Sequence, residues 1–139
     1  MINSKFFLFA VLILGILSCS NKHAPIAKVN YDFQGCFGGG QSSISIYDYD
    51  TSKMAILEDS GRIILKSKLS SDQMDTFRVF IKELKNLNGQ FGCTTTANYF
   101  VVYQTEIIQK TDGGCDWNGF DKLKDCLFRD PYYQIQSNY

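Results

Sequence analysis

The chain has 139 residues, and its 14 Lys and Arg balance 14 Asp and Glu, giving a formal net charge of zero at pH 7. A neutral chain without basic runs lacks the electrostatic footprint of a nucleic-acid binder, so no nucleic acid is expected as a partner. Eleven Phe and eight Tyr against two Pro favour a packed, strand-rich domain over a disordered stalk.

The N-terminus reads as three zones. Lys5 places a positive charge near the start, Phe6 to Leu17 form an unbroken apolar run, and Ser18-Cys19 follow. Twelve residues from Phe6 to Leu17 would span about 18 Å of helix, well short of the ~30 Å hydrocarbon core. That is the length of a signal-peptide core, not of a membrane span. Ile16-Leu17-Ser18-Cys19 resembles the lipobox of bacterial lipoproteins, a small residue directly before the cysteine. The resemblance implies a diacylglycerol thioether on Cys19, cleavage before it and acylation of the new amino group. Residues 1–18 are then the signal peptide, and the membrane is a partner through lipid on Cys19. An ordinary signal peptide cut elsewhere is the alternative. Ser20 follows without an acidic cluster, which by likeness to Gram-negative sorting rules implies the outer membrane, facing the periplasm.

Loss of 18 of the 139 residues leaves 121, a length that suits one domain with one core. With Cys19 assigned to lipid, Cys36, Cys93, Cys115 and Cys126 remain. No two of them have CxxC spacing, and the single histidine, His23, lies near the N-terminus. Two disulfides formed outside the cytoplasm explain this set better than an irregular all-cysteine zinc site, so no metal is expected.

Residues 19–28 read as a lipidated polar tether and 29–130 as a single domain. From Val29 the pattern has period two: Val29, Tyr31 and Phe33 share a face, as do Ile44 and Ile46. Turn residues Asp50-Thr51-Ser52 and Asp59-Ser60-Gly61 flank a strand over Lys53–Glu58, and Arg62–Leu69 reads as another. Ser70 opens the clearest helix, with Gln73 three residues on completing a capping box and Asp72 and Asp75 placed in its first turn. Met74, Phe77, Phe80, Ile81, Leu84 and Leu87 form its core stripe, and Asn88-Gly89 supplies the stop. A second β region runs from Thr94–Thr96 and Tyr99–Tyr103 through Ile107-Ile108 to Thr111. A short helix spans about Gly119 to Phe128, with Asn118 as N-cap and Asp121 in its first turn. Residues 131–139 form a tail without a period, its Tyr132, Tyr133 and Tyr139 either a contact surface or loose.

The expected fold is therefore α+β: an antiparallel sheet of about six strands packed on one main helix, with a short C-terminal helix. If the second β region turns near Gln104-Thr105, Cys93 and Cys115 face each other at its open end. Such a bridge would close a loop of about 22 residues and stabilise by about 3 kcal/mol. Cys36 would then pair with Cys126. The competing pattern is Cys115–Cys126 with Cys36–Cys93.

Few residues invite chemistry. Gly38-Gly39-Gly40 leads into a strand without a nearby Lys, so a wide turn or bulge explains it better than a phosphate cradle. Asp112, Asp116, Asn118 and Asp121 place oxygen atoms close together, but an EF-hand register fails because its third and sixth positions are Gly114 and Trp117. Turn and cap roles are expected for them. Trp117 reads as wedged into the core edge, with an exposed binding anchor as the alternative. No histidine lies in the folded region, so Ser–His and Cys–His nucleophile systems are absent, and no spacing singles out a carboxylate pair. Neither a catalytic residue nor a cofactor is expected.

Cys36-Phe37-Gly38-Gly39-Gly40, followed by Ser43-Ile44-Ser45-Ile46-Tyr47, is similar to a family of bacterial envelope domains marked by Cys-Phe-Gly-x-Cys and then a strand, a hairpin, a helix and further strands. Here Gly39-Gly40 stands where the second cysteine would fall, which leaves Cys36 to pair elsewhere. The order of elements, with Gly38-Gly39, the Ser70–Leu87 helix and Tyr99–Tyr103, also resembles emfourin, an inhibitor of thermolysin-type metalloproteases. That likeness implies a non-enzymatic protein-binding role, with another envelope protein or a protease as partner. The alternatives are a small-ligand or metal-binding module, or a structural component of the envelope.

Overall fold

The computed structural model describes residues 24–89, 92–114, 116–131 and 133–134. The expected signal peptide and Cys19 lie outside them, as do Cys115, Tyr132 and Tyr139. Strands β1 (Ala27–Gly35), β2 (Gly38–Tyr49), β3 (Ser52–Asp59) and β4 (Arg62–Leu69) form the expected meander. Each of its three turns has two residues: Cys36-Phe37, Asp50-Thr51 and Ser60-Gly61. Ser60 and Gly61 both take positive φ (49° and 79°), the backbone that matches the right-handed twist of the flanking strands.

Helix α1 (Ser71–Asn86) then carries the chain back across the sheet, and β5 (Thr95–Tyr103) pairs with β1, not with β4. Strand β6 (Glu106–Asp112) follows through Gln104-Thr105, the turn expected from the sequence, with Gln104 at φ 55°. Helix α2 (Gly119–Leu127) and the two-residue β7 (Tyr133–Gln134) complete the chain. Among the described residues the sheet has seven strands in the order β6-β5-β1-β2-β3-β4-β7, every pair antiparallel. Six are long, and the fold is the expected α+β arrangement with one main and one short helix.

The segment ends shift in two places. Strand β1 starts at Ala27, which is buried, so it takes two residues from the expected tether. Tyr133–Gln134 pair with Lys66 and Leu65, so the tail adds a strand instead of lying outside the domain.

One face of the sheet carries the core. Directly opposed residues Leu57, Ile44, Val29, Val101 and Ile108 form an apolar row across five strands. Met74, Phe77, Phe80, Ile81 and Leu84 of α1 and Phe120, Leu123 and Leu127 of α2 belong to the same core. The sequence stripe of α1 thus turns inward, apart from half-buried Leu87 at its C-cap. The capping box is complete: Gln73 N donates to Ser70 Oγ at 3.3 Å, and Ser70 N donates to Gln73 Oε1 at 2.8 Å. Only Asp72 lies in the first turn, while Asp75 pairs with Arg78.

Gln73 has a second role. Its Nε2 donates to the carbonyls of Cys126 (3.0 Å) and Leu127 (3.3 Å), satisfying acceptors that the last turn of α2 leaves open. The N-terminus of α1 therefore meets the C-terminus of α2. At the other end of α2, Asn118 occupies the N-cap, but its side chain makes no capping hydrogen bond. The start of that helix is fixed by packing: the Trp117 indole lies on Gly119, where a Cβ would come within 2.1 Å of the ring.

Candidate binding face

Alternation along the strands sends every second side chain away from the helices. Glu58, Ser43, Asn30, Phe100 and Gln109 oppose one another across β3, β2, β1, β5 and β6 and form one row on this outer face. Gln41, Asp32, Asn98 and Thr111 form the next row. Together they border a shallow hollow of about 620 Å³. Phe100 is 39% exposed in its middle, and Val102 (37%) and Ile107 (66%) continue the apolar surface toward the β6 edge.

Hydrogen bonds fix part of this surface. Ser43 Oγ donates to Glu58 Oε2 at 3.1 Å, and Thr111 Oγ1 donates to Asn98 Oδ1 at 2.9 Å. The second bond leaves both N–H groups of the Asn98 amide as donors for a partner. Asn30 Nδ2 donates to the Phe100 carbonyl at 3.4 Å. Carboxylates of Asp32 and Glu58 lie in this part of the face, and the ammonium of Lys110 is turned to the other side, donating to the Leu87 carbonyl at 3.2 Å. The face offers hydrogen-bonding groups of both kinds around an exposed ring.

The residues singled out in the sequence fall elsewhere. Gly38-Gly39-Gly40 is neither a wide turn nor a bulge: the turn is Cys36-Phe37, and the glycines open β2 in regular register. The Phe33 ring lies over Gly40, 2.8 Å from where a Cβ would sit, so a side chain there would have to push the ring aside. Phe37 is fully exposed at the tip of that hairpin.

Asp112 is buried and accepts from Gly114 N at 2.8 Å, the turn role expected of it. Asp121 pairs with Lys124 at 3.0 Å, and Asp116 is exposed. Among the described residues no group of three or more Asp, Glu, His or Cys is arranged to hold a metal ion. Trp117 is wedged at the core edge, stacked on Phe80 (5.7 Å, 20°) and edge-on to Tyr99 (5.2 Å), with Nε1 donating to Glu83 at 3.3 Å. Below it Tyr31 and Tyr99 lie side by side, ring centroids 5.3 Å apart. Burial, assisted by the neighbouring phenol and the Asp112 and Asp121 carboxylates, pushes the Tyr99 phenol far above its usual range; burial, then Asp121 and Asp112, also raises Tyr31.

The cysteines divide. Cys93 is disulfide-bonded, and its N–H donates to the Gly113 carbonyl at 2.8 Å. Its expected partner, Cys115, lies outside the described residues. Cys36 and Cys126 are free thiols, which corrects the expected Cys36–Cys126 bridge. The reason is the direction of α2. Cys36 sits in the turn at the Gly35 end of β1, while Gln73 holds Cys126 near Ser70, at the sheet end where β1 begins. Nine residues of β1 separate those ends by about 30 Å, against the ~7 Å limit for a disulfide.

Comparison with known protein families, with curated proteins and with solved structures finds no match.

Proposed function

We propose that this chain is a lipid-anchored protein of the bacterial envelope, held by Cys19 in the outer membrane facing the periplasm, that acts by binding another protein and not by catalysis. The observation that supports the binding role is the open sheet face. Helices cover one side, and the other presents Phe100 within a row of hydrogen-bonding side chains. A row across five strands at about 4.8 Å spacing is about 19 Å wide, the scale of a protein contact patch and not of an enclosed ligand pocket. An exposed aromatic ringed by polar groups is the composition expected at the centre of such a patch. The loops that a small-ligand reading would use have other employment, since Gly40 seats Phe33 and Asp112 closes its own turn.

The anchor rests on Ile16-Leu17-Ser18-Cys19. The likeness to emfourin makes a thermolysin-type metalloprotease the first partner to try. Labelled palmitate should enter the wild-type protein and not Cys19→Ala, which should accumulate as precursor or become soluble. Label on both would remove the anchor from this reading, and removal of the domain by protease shaving of intact cells would contradict its periplasmic facing. Inhibition of such a protease that Phe100→Ala relieves would identify the partner class; inhibition untouched by that change would place the contact elsewhere.

A further inference from the structure

The outer face of the sheet divides by charge. On β1–β4 its carboxylates, Asp32 and Glu58, border the hollow toward the Gly38 end of the sheet. Toward the Ala27 end the same face carries Lys28 of β1 and Lys66 and Lys68 of β4, with no Asp or Glu among the described residues. Lys28, Ser45, Ile56 and Lys66 oppose one another in one row, and Tyr47, Met54 and Lys68 in the next. The first row spans three strand spacings, about 14 Å. Neither Lys28 nor Lys68 forms an ion pair among the described residues. Asp48, the one acid in β2, is turned to the helix side, where it pairs with Lys53 at 2.7 Å. Tyr47 stacks with Tyr49, ring centroids 6.3 Å apart and planes 24° from parallel.

The chain enters the sheet at this corner. Ile26 N donates to Ile46 O at 2.8 Å, next to Tyr47. Six residues, Ser20–Pro25, separate Cys19 from that bond. Fully extended, such a segment reaches about 20 Å. A lipid on Cys19 therefore keeps this corner within about 20 Å of the bilayer, at high local concentration.

We propose that Lys28 and Lys68, with Tyr47 between them, dock on the anionic phospholipid headgroups of the membrane that carries the anchor. This rests on the lipidation of Cys19 proposed above. Ammonium groups are drawn to an anionic leaflet, and phenol rings settle at the level of the headgroups. Asp32 and Glu58 are repelled by the same surface, so the sheet stands inclined on its Ala27 end. The hollow beside Phe100, at the diagonal corner, stays open to a partner. An acidic protein would match the lysines in charge, but it is the membrane that the tether brings to them.

The test places the purified full-length protein, its acyl mass confirmed, in phosphatidylcholine vesicles with or without phosphatidylglycerol. A brief amine-reactive pulse is then read by mass spectrometry. Lys28 and Lys68 should label about five-fold more slowly with phosphatidylglycerol present, and high salt should remove the difference. Lys82 and Lys122, exposed on the helices, should label alike in both. A photoreactive residue at Tyr47 should give a phospholipid adduct, and Lys28→Gln with Lys68→Gln should lower its yield about ten-fold. Equal labelling of Lys28 and Lys68 in both vesicles, or a Tyr47 adduct indifferent to the two glutamines, overturns the proposal. Shielding in intact envelopes that the vesicles do not reproduce gives the corner to an acidic protein and overturns it too. A chain without acyl mass refutes the anchor and not the corner. Added to the same vesicles, that chain should still show salt-sensitive shielding of Lys28 and Lys68, and its absence would refute the corner as well.

Discussion

The ring of Phe120 lies flat on that of Tyr31, centroids 4.3 Å apart and planes 11° from parallel. This contact ties the first turn of α2 to the middle of β1, strands and helix that are about 90 positions apart in the chain. Around it run Phe33, Tyr99, Trp117 and Phe80, an aromatic layer between the sheet and both helices. Phe120→Ala should cost about 3–5 kcal/mol, since a buried ring leaves a cavity as well as a transfer loss. Chemical denaturation measures it, and a cost below about 1 kcal/mol would mean α2 is not docked this way.

The phase of α1 gives a second prediction. Phe80 is buried and Lys82 exposed on the same helix. Phe80→Ala should destabilise by about 3–5 kcal/mol and Lys82→Ala by less than about 0.5 kcal/mol. Equal effects would contradict the helix orientation.

Gln73 joins two helix ends, so its loss should exceed that of an ordinary cap. Ser70→Ala should cost about 1 kcal/mol. Gln73→Ala removes the return bond of the capping box and the bonds to Cys126 and Leu127 as well. It should cost more than Ser70→Ala, and hydrogen exchange should show faster opening in the last turn of α2. Slower or unchanged exchange there would show that Gln73 does not hold it.

Alkaline stability follows from Tyr99. Its folded phenol, held neutral by burial, titrates above the ordinary tyrosine range of about 10, so the unfolded chain loses this proton first. Tyr99 favours the folded state fully below about pH 10, and that contribution is lost as pH rises through the folded value. Unfolding free energy should therefore fall above about pH 10, and Tyr99→Phe should flatten the fall. An unchanged alkaline slope in Tyr99→Phe would exclude this origin.

Disulfide mapping separates the cysteine patterns. Without reduction, Cys36 and Cys126 should alkylate, as their free thiols require. A crosslinked peptide should join Cys93 to Cys115, two residues past the Gly113 carbonyl that Cys93 N–H meets. A Cys115–Cys126 peptide would contradict both statements.

Local patterns carried much of the architecture into the sequence. Alternation at Val29 and Ile44, the Ser70–Gln73 box and the Met74–Leu84 stripe are each written within a few residues, and each stands in the fold. What depends on distant contacts was not legible. Nothing near Thr95 shows that β5 pairs with β1 in preference to β4, and nothing near Cys126 shows that α2 points away from Cys36. The outer face was hidden for a related reason. Asn30, Asp32 and Asn98 look like the solvated half of any strand until the register sets them beside Phe100.

Site-specific photo-crosslinking in intact envelopes tests the central reading, binding of another protein through the open face. A photoreactive residue at Gln41, exposed on that face, should give a discrete adduct with a different protein, and one at Lys82, exposed on α1, should not. Phe100→Ala should abolish the Gln41 adduct. No adduct from Gln41, or the same adduct from both positions, would contradict the assignment of the sheet face as the binding surface.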